Sequence, residues 1–581
     1  TFSPNGDRVA YVFENNLYHA ALQGRDKVQI TKTGKKNEVI NGMSDWVYEE
    51  EFAFTKAFEW SPDGKYIAFY EFDESEVKEY DMPMYVGGAY PEHDTFKYPK
   101  AGEANAKVRI LIHNLETKEN KVVNVGSEVD QYIPRIKWTK RPGKLLVQRM
   151  NRLQNRLDLM LVNAEDGTSE VFHSEVSETY IDITDNLHFL SNGDDFVWTS
   201  EATGFNHIYL MNLNGKTVNP ITTGNWDVTS FYGVDEAKGK IYFQSSEEGP
   251  TNRAVYETGL NGIGQRKMSE RIGQNSAKFS KSFEYHINSW SDANTPPFVS
   301  LVHTEKGKEI RVLESNADLV KTLVDVKAPV KEFFSFDANG TKLNGWMIKP
   351  NGFSKTKKHP VLMFVYGGPG SNTVNDSWGH SNHIWHMHLT QLGYVVVSVD
   401  NRGTGNRGRD FKHMTYKELG KFETEDQIAT AQYLGTLPYV DSERIGIQGW
   451  SYGGYMTSLC MTKGAKYFKA GIAVAPVTNW RWYDTIYTER FMRTPKENAN
   501  GYDENSPINH VEKLEGSYLL VHGGADDNVH LQNTMEMVTA LVDANKQFDL
   551  FVYPNKNHGI YGGNTRYHLF TKMTNFLKEN L

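Results

Sequence analysis

The first 330 residues repeat one weak unit: an aromatic, a turn of the Ser-Pro-Asp/Asn-Gly kind, then alternating apolar residues. Few folds accept such a repeat. It is read in TFSPNGDRVAYV at 1–12, EWSPDGKYIAFY at 59–70, IKWTKRPGKLLVQ at 136–148, HFLSNGDDFVW at 188–198 and VDEAKGKIYF at 234–243, with a sixth near AKFSKSFEYHINS at 277–289. Second strands of the RILIHNL, LDLMLVN and HIYLMNL type lie between them, each followed by a short polar turn, so these segments read as hairpins rather than helices. A period of roughly 45 to 80 residues with about four strands per unit predicts β-propeller blades.

Near residue 331 the pattern changes. Apolar runs such as VLMFVY at 361–366, YVVVSV at 394–399, RIGIQG at 444–449, AGIAVA at 470–475 and SYLLVHG at 517–523 alternate with helical stretches. Strands without polar alternation are what a parallel sheet covered by helices on both faces needs. The chain is therefore read as multidomain, β followed by α/β: a β-propeller over 1–330 and a doubly wound α/β domain over 331–581. A chain of 581 residues requires more than one core in any case.

The charge balance, 63 basic against 72 acidic residues, gives −9 without long single-sign blocks, and so no footprint for nucleic acid or an anionic membrane. One cysteine, Cys460, excludes an intramolecular disulfide. No run of eighteen apolar residues predicts a membrane span. Thr1 already falls inside a strand-turn pattern with neither an initiator Met nor a leader, so the natural N-terminus is expected upstream.

The chemistry concentrates in Gly449-Trp450-Ser451-Tyr452-Gly453-Gly454, which follows a strand and precedes a helical stretch. A G-x-S-x-G turn between strand and helix holds a nucleophilic serine on a crowded backbone at the top of a sheet. Such hydrolases order their triad Ser, Asp or Glu, His, which directs the search downstream. Asp526 and Asp527 follow SYLLVHG, and His558 follows FDLFVYP in an Asn-His-Gly turn. His530 and His568 compete, but the first is only four residues past Asp526 and the second lies within the last helix, so Ser451, Asp526 and His558 are chosen. The oxyanion would be met by the backbone N–H of Tyr452 and by the loop Tyr366-Gly367-Gly368-Pro369-Gly370, where Tyr366 could add its hydroxyl.

Trp480, Tyr483 and Tyr487 recur at helical spacing and by themselves read as core packing. Glu49-Glu50-Glu51 by itself reads as a solvated acidic run. The histidines His380, His383, His386 and His388 suggest a metal, but the glutamate of a metallohydrolase helix is absent, so no metal is expected.

GWSYGGY, VAPVTNWRWYDTIYTER, HGGADDNVH, NHG and DWVYEEEF occur in one order along the whole chain, and together they resemble the prolyl oligopeptidase family of serine peptidases, in its dipeptidyl peptidase IV branch. The resemblance implies the same triad, with Tyr366 as side-chain oxyanion donor. It also implies that Glu50 and Glu51 clamp the substrate's free ammonium, and that Arg490 and Asn528 hold the carbonyl between the first two substrate residues. Tyr452, Val477, Trp480, Tyr483, Tyr487 and Val529 would then form a flat apolar slot for proline. The implied activity is release of Xaa-Pro, and less well Xaa-Ala, dipeptides through an acyl-enzyme, with no cofactor. A prolyl tripeptidyl peptidase, a catalytically silent propeller scaffold and a generic esterase are the alternatives. Family members close eight blades where about six are read here, and a family arginine that orients the glutamates has no counterpart in this stretch. The expected setting is the periplasm or surface of a bacterium, as a homodimer built through 79–97 and 566–581.

Overall fold

We describe the chain from a computed structural model, which covers every residue except Arg25 and His380. Among the described residues, the first 314 hold six successive antiparallel sheets: one of three strands within residues 8–29, one of five, and four of four strands within 131–176, 188–220, 228–267 and 274–314. Five of the six predicted repeats fall on an antiparallel hairpin, as in Phe58–Trp60 paired with Tyr66–Asp73, while the repeat at 1–12 supplies the strand Arg8–Phe13 with Phe2 bridged to Val9. The turn explains why the motif recurs. The Gly64 N–H donates to the Ser61 carbonyl at 2.9 Å, the Ser61 hydroxyl bonds Asp63 at 2.6 Å and accepts from the Tyr66 N–H at 2.9 Å, and Gly64 sits at φ +71°. A serine, an aspartate and a left-handed glycine thus supply the hydrogen bonds and the backbone angle that close the turn. Glu79–Met84 and Glu92–Lys97 form a separate hairpin.

The chain packs as two compact units. The first comprises Thr1–Ala202, Tyr209–Pro220 and Tyr483–Asn498. Its core gathers Val47, Tyr48 and Phe52 of the helix Trp46–Phe52 with Phe72, Tyr132, Leu145, Leu159 and Ile486. The segment Tyr483–Asn498 thus packs with residues more than 260 positions away in sequence.

The second unit comprises Thr203–Ile208, Ile221–Trp482 and Ala499–Leu581. It holds an eight-stranded sheet whose strands are β1 (Lys331–Ala338), β2 (Thr341–Ile348), β3 (His359–Val365), β4 (Val395–Asp400), β5 (Val440–Trp450), β6 (Ala470–Val474), β7 (Ser517–Gly523) and β8 (Asp549–Tyr553), in the order β1-β2-β4-β3-β5-β6-β7-β8. From β4 to β8 every pairing is parallel. Strands β4 and β6 are buried along their whole length, as their unbroken apolar runs require.

The expectation of a parallel sheet is corrected at one edge. Strands β1 and β2 form an antiparallel hairpin, and β2 pairs antiparallel with β4. Asn339 at φ +54° and Gly340 at φ +86° make the two-residue turn, a signal present in the sequence as Asn-Gly. β1 is buried only at Lys331 and Ala338 and half-buried or exposed between them, as an edge strand with one wet face allows.

The chain leaves β3 toward β4 on one side and returns to β5 on the other, so the carboxyl ends of β3 and β5 flank the point where the strand order reverses. Open α/β sheets bind ligands at such a point.

Candidate active site

In the second unit, β3 and β5 run parallel with Val365 opposite Gly449, so Tyr366 and Ser451 leave the same edge of the sheet. Ser451 sits at φ +61° and ψ −119°, between β5 and the helix Tyr452–Lys463, with its N–H donating to the Val474 carbonyl at 2.9 Å. The glycines around it are steric requirements. A Cβ on Gly449 would lie 2.1 Å from the Gly453 carbonyl oxygen, one on Gly453 2.2 Å from that of Val365, and one on Gly454 2.8 Å from that of Val474. Gly453→Ala is therefore expected to push the helix away from β3 and to cost about 3 kcal/mol or more, read as a fall in the urea midpoint together with loss of activity.

Asp526 and His558 come together. The His558 Nδ1 lies 2.7 Å from the Asp526 Oδ2, while the Asn528 and Val529 N–H groups donate to its Oδ1 at 3.1 and 2.9 Å. His522 lies 3.3 Å from the same Oδ2. Burial would raise the Asp526 carboxyl, but the His558 charge and the hydrogen bonds from His522 and His558 outweigh it and hold the group down at about 2. Its contribution to stability is therefore present above the ordinary aspartate value and is lost as pH falls toward 2. The loop carrying His558 is tied to the end of β5, because the Trp450 Nε1 donates to the His558 carbonyl at 3.0 Å. Of the competing histidines, His568 bonds the Tyr553 hydroxyl at 2.7 Å and His530 is fully buried.

Tyr452 opens the helix after Ser451, at a helix start where N–H groups have no partner within the helix. Its ring is buried, 5.6 Å from Trp480 and 6.1 Å from the half-exposed Tyr366, and its hydroxyl donates to the buried Glu423 at 2.6 Å. Burial raises the Glu423 carboxyl to about 7 despite that bond. The Tyr366 loop is clamped by Asn401, whose Nδ2 donates to the Gly367 carbonyl at 3.0 Å. Val477 and Val529 are buried in the same unit, and Asn528 lies on the Asp526 loop.

Tyr483, Tyr487, Arg490, Glu50 and Glu51 belong to the first unit. The expectation that Trp480, Tyr483 and Tyr487 share one helical face is corrected. Trp480 lies in a short 3-10 turn of the second unit, Tyr483 precedes the helix Thr485–Met492, and only Tyr487 is inside it. Asp484 intervenes as the N-cap, accepting from the Tyr487 N–H at 2.9 Å, and this aspartate is the signal that spacing alone overlooked.

The acidic run is a helix of seven residues capped by Asp45, which accepts from the Tyr48 N–H at 3.0 Å. Glu49 and Glu50 face solvent and Glu51 is half-buried. Burial raises the Glu51 carboxyl to about 7 and the Glu50 charge adds to this, while the Arg490 charge and a hydrogen bond with Asp484 oppose it. Asp484 is buried, and that burial together with the Glu51 charge pushes its carboxyl well above the ordinary carboxylate range.

Sequence reasoning missed what fixes Arg490. The Gln154 Oε1 accepts from the Arg490 Nε at 2.8 Å, while its Nε2 donates to the Ile486 carbonyl at 2.6 Å. Beside it Arg152 makes two 2.8 Å bonds to the buried Glu489. Arg152→Met leaves that carboxylate buried without its cation, and is expected to cost about 3 kcal/mol, measured as a lowered urea midpoint.

His383 and His386 are buried in a helix, and burial pushes them down to about 4 and about 3. His388 faces solvent and His380 lies outside the described residues. Among the described residues no group of three or more His, Cys, Asp or Glu is placed to hold a metal ion.

Residues 1–297 match the family described as the dipeptidyl peptidase IV (DPP IV) N-terminal region, and residues 381–581 match the prolyl oligopeptidase family. The chain is 34% identical over 612 residues to a protein of Phaeosphaeria nodorum named "Probable dipeptidyl-aminopeptidase B", with 99% of this chain and 66% of that protein covered, so it spans just under two thirds of that relative. It is 34% identical to the mouse prolyl endopeptidase FAP, over 100% of this chain and 79% of that one. The crystal structure of Porphyromonas gingivalis dipeptidyl peptidase 4 superposes with a TM-score of 0.97 at 46% identity, covering 100% of this chain and 82% of that chain.

Proposed function

Because this chain belongs to the prolyl oligopeptidase family of serine peptidases, we propose that it is a dipeptidyl peptidase releasing Xaa-Pro, and more slowly Xaa-Ala, from free peptide N-termini. The observation that carries the catalytic half is the 2.7 Å bond from the His558 Nδ1 to a buried Asp526 carboxylate, in the unit that holds the strained Ser451 turn. Ser451 attacks the scissile carbonyl, His558 takes its proton and returns it to the leaving amine, and Asp526 fixes the imidazole tautomer. The Tyr452 N–H and the Tyr366 hydroxyl receive the oxyanion. Water then hydrolyses the acyl-enzyme by the same route.

For binding, Glu50 and Glu51 receive the substrate ammonium, and Arg490 and Asn528 the carbonyl that follows it. Tyr452, Val477, Trp480, Tyr483, Tyr487 and Val529 take the ring of the second residue. Proline suits apolar aromatic surroundings, because its ring is rigid and its nitrogen leaves no donor unpaired.

Hydrolysis of Gly-Pro-anilide beside its N-acetylated form tests the reading. Cleavage of the free amine alone supports it. Equal cleavage of both overturns the ammonium clamp, and a preference for a tripeptide over a dipeptide anilide moves the function to a tripeptidyl peptidase.

The N-terminal region is of propeller type and the C-terminal part an α/β hydrolase. We place the boundary at 330/331 and assign about six of eight blades to this chain, with the six successive sheets of three to five strands among the described residues before 315 as support. We further propose export to a bacterial periplasm or surface. No helix among the described residues is long and apolar enough to cross a membrane. A homodimer is proposed through 79–97, whose hairpin exposes Tyr85, Val86 and Tyr90, and through 566–581, which exposes Tyr567. Sedimentation velocity tests it.

A further inference from the structure

His522 lies in β7, next to its end, and is completely buried. Its Nε2 is 2.7 Å from the Val529 carbonyl oxygen and 3.3 Å from the Asp526 Oδ2, and its Nδ1 is 2.7 Å from the Thr534 hydroxyl. The chemistry of these partners decides the tautomer. A carbonyl and a carboxylate oxygen are both acceptors, so the Nε2 must carry a hydrogen, and the Nδ1 of the neutral ring then accepts from the Thr534 hydroxyl. One imidazole thereby ties the end of β7, the Asp526 loop and the first turn of the helix Gln532–Asp543.

The consequence falls on Asp526. Its Oδ1 is occupied by two backbone N–H groups, and its Oδ2 stands between two imidazoles, His558 at 2.7 Å and His522 at 3.3 Å. The carboxylate cannot rotate without breaking contacts on both oxygens. The Nε2 hydrogen goes chiefly to the Val529 carbonyl at 2.7 Å and faces Oδ2 at 3.3 Å, and its positive end draws off part of the charge that faces His558, which lowers the stability of the imidazolium formed during acylation.

We propose that His522 is a positioning residue for the triad, which locks the Asp526 carboxylate in the orientation that serves His558 and moderates the basicity of that imidazole. This rests on the reading that Asp526 orients a catalytic His558. The proton inventory is simple: the Nε2 hydrogen of His522 stays on its ring, and the only proton moved is the one His558 takes from Ser451.

The test uses the full chain, with rates normalised to active sites titrated by a fluorophosphonate. His522→Leu removes the donor and is expected to lower kcat on Gly-Pro-anilide by about 10- to 100-fold, with KM changed less than about threefold. The acid limb of its kcat/KM profile should move to higher pH, because an unmoderated carboxylate stabilises the imidazolium. His522→Gln, whose amide Nε2 can reach the same two oxygens, should recover most of both effects. A purely structural role would lower the urea midpoint and the titratable fraction without moving the acid limb. A His522→Leu profile with an unmoved limb overturns the proposal, as does a His522→Gln enzyme no better than His522→Leu. Should His522→Leu not fold, His522→Asn decides: its shorter side chain carries an amide but cannot span to the Asp526 Oδ2, so the limb should move in the same direction, and an unmoved limb overturns the proposal. Asp526→Asn separates the two levels. If it is fully active, the triad reading itself fails, whereas an inactive Asp526→Asn beside a kinetically silent His522→Leu removes His522 alone.

Discussion

Ser451→Ala is expected to lower kcat on Gly-Pro-anilide by about 10⁴- to 10⁶-fold while leaving KM within about threefold and the unfolding midpoint unchanged. The split follows from the geometry. Ser451 occupies φ +61° whichever small side chain it carries, and its hydroxyl makes no capping bond to the helix that follows. Alanine therefore pays the same backbone strain and removes no contact that the fold uses. What disappears is the proposed nucleophile. His558→Ala should cost a similar factor, and the double variant little more, because the proposed mechanism joins the two in one proton transfer and their losses then do not add. The measurement is steady-state kinetics with active-site titration. A Ser451→Ala enzyme within tenfold of the parent would remove this serine from the chemistry and leave the G-x-S-x-G turn as a packing device.

The parts of the molecule that were legible in the sequence are those where a local requirement and the long-range packing agree. The Ser61 turn is one, since its serine, aspartate and left-handed Gly64 each satisfy the backbone within five residues. The crowded glycines of 449–454 are another, because no side chain fits there. Where local signals conflict, the hydrophobic pattern alone misleads. The runs from 361 onward suggested a parallel sheet, yet Asn339-Gly340 had already marked an antiparallel hairpin at its edge. Spacing suggested one aromatic face from Trp480 to Tyr487, but Asp484 stops the helix by accepting the Tyr487 N–H. Other features had no local signal at all. Gln154 meets Arg490 across 336 residues, and His522 lies inside an apolar strand whose pattern says only that it is buried. Their partners are chosen by tertiary packing, which single-sequence periodicity does not encode.

Glu51→Gln is expected to lower kcat/KM for the free-amine substrate by about 10²- to 10³-fold, the scale of removing one member of a partly buried charge pair, and to leave the slow cleavage of the N-acetylated substrate nearly unchanged. Selectivity for the amine should collapse with little loss of kcat, since the ammonium is held equally in ground and transition states. Glu50→Gln should act in the same direction but more weakly, because Glu50 faces solvent and Glu51 is half-buried. The pH dependence gives an independent reading. Burial and the Glu50 charge raise the Glu51 carboxyl to about 7, so it is ionised above that pH and neutral below it. Attraction for the ammonium is then present above about 7 and is lost as pH falls through that value. Binding should draw the carboxyl back toward ionisation and release a proton at slightly acidic pH, which calorimetry of a free-amine dipeptide inhibitor in buffers of different ionisation heat would count. For folding the sign is reversed: a carboxyl raised above its ordinary value favours the folded state most at low pH, and that advantage is lost as pH rises through about 7. An ester lacking the amine separates Glu51 from His558, since only the imidazole shapes its acid limb. If the limbs of the amine peptide and the ester coincide, and Glu51→Gln moves neither, the glutamate is a surface acid and selectivity for the N-terminus must come from elsewhere in the chain.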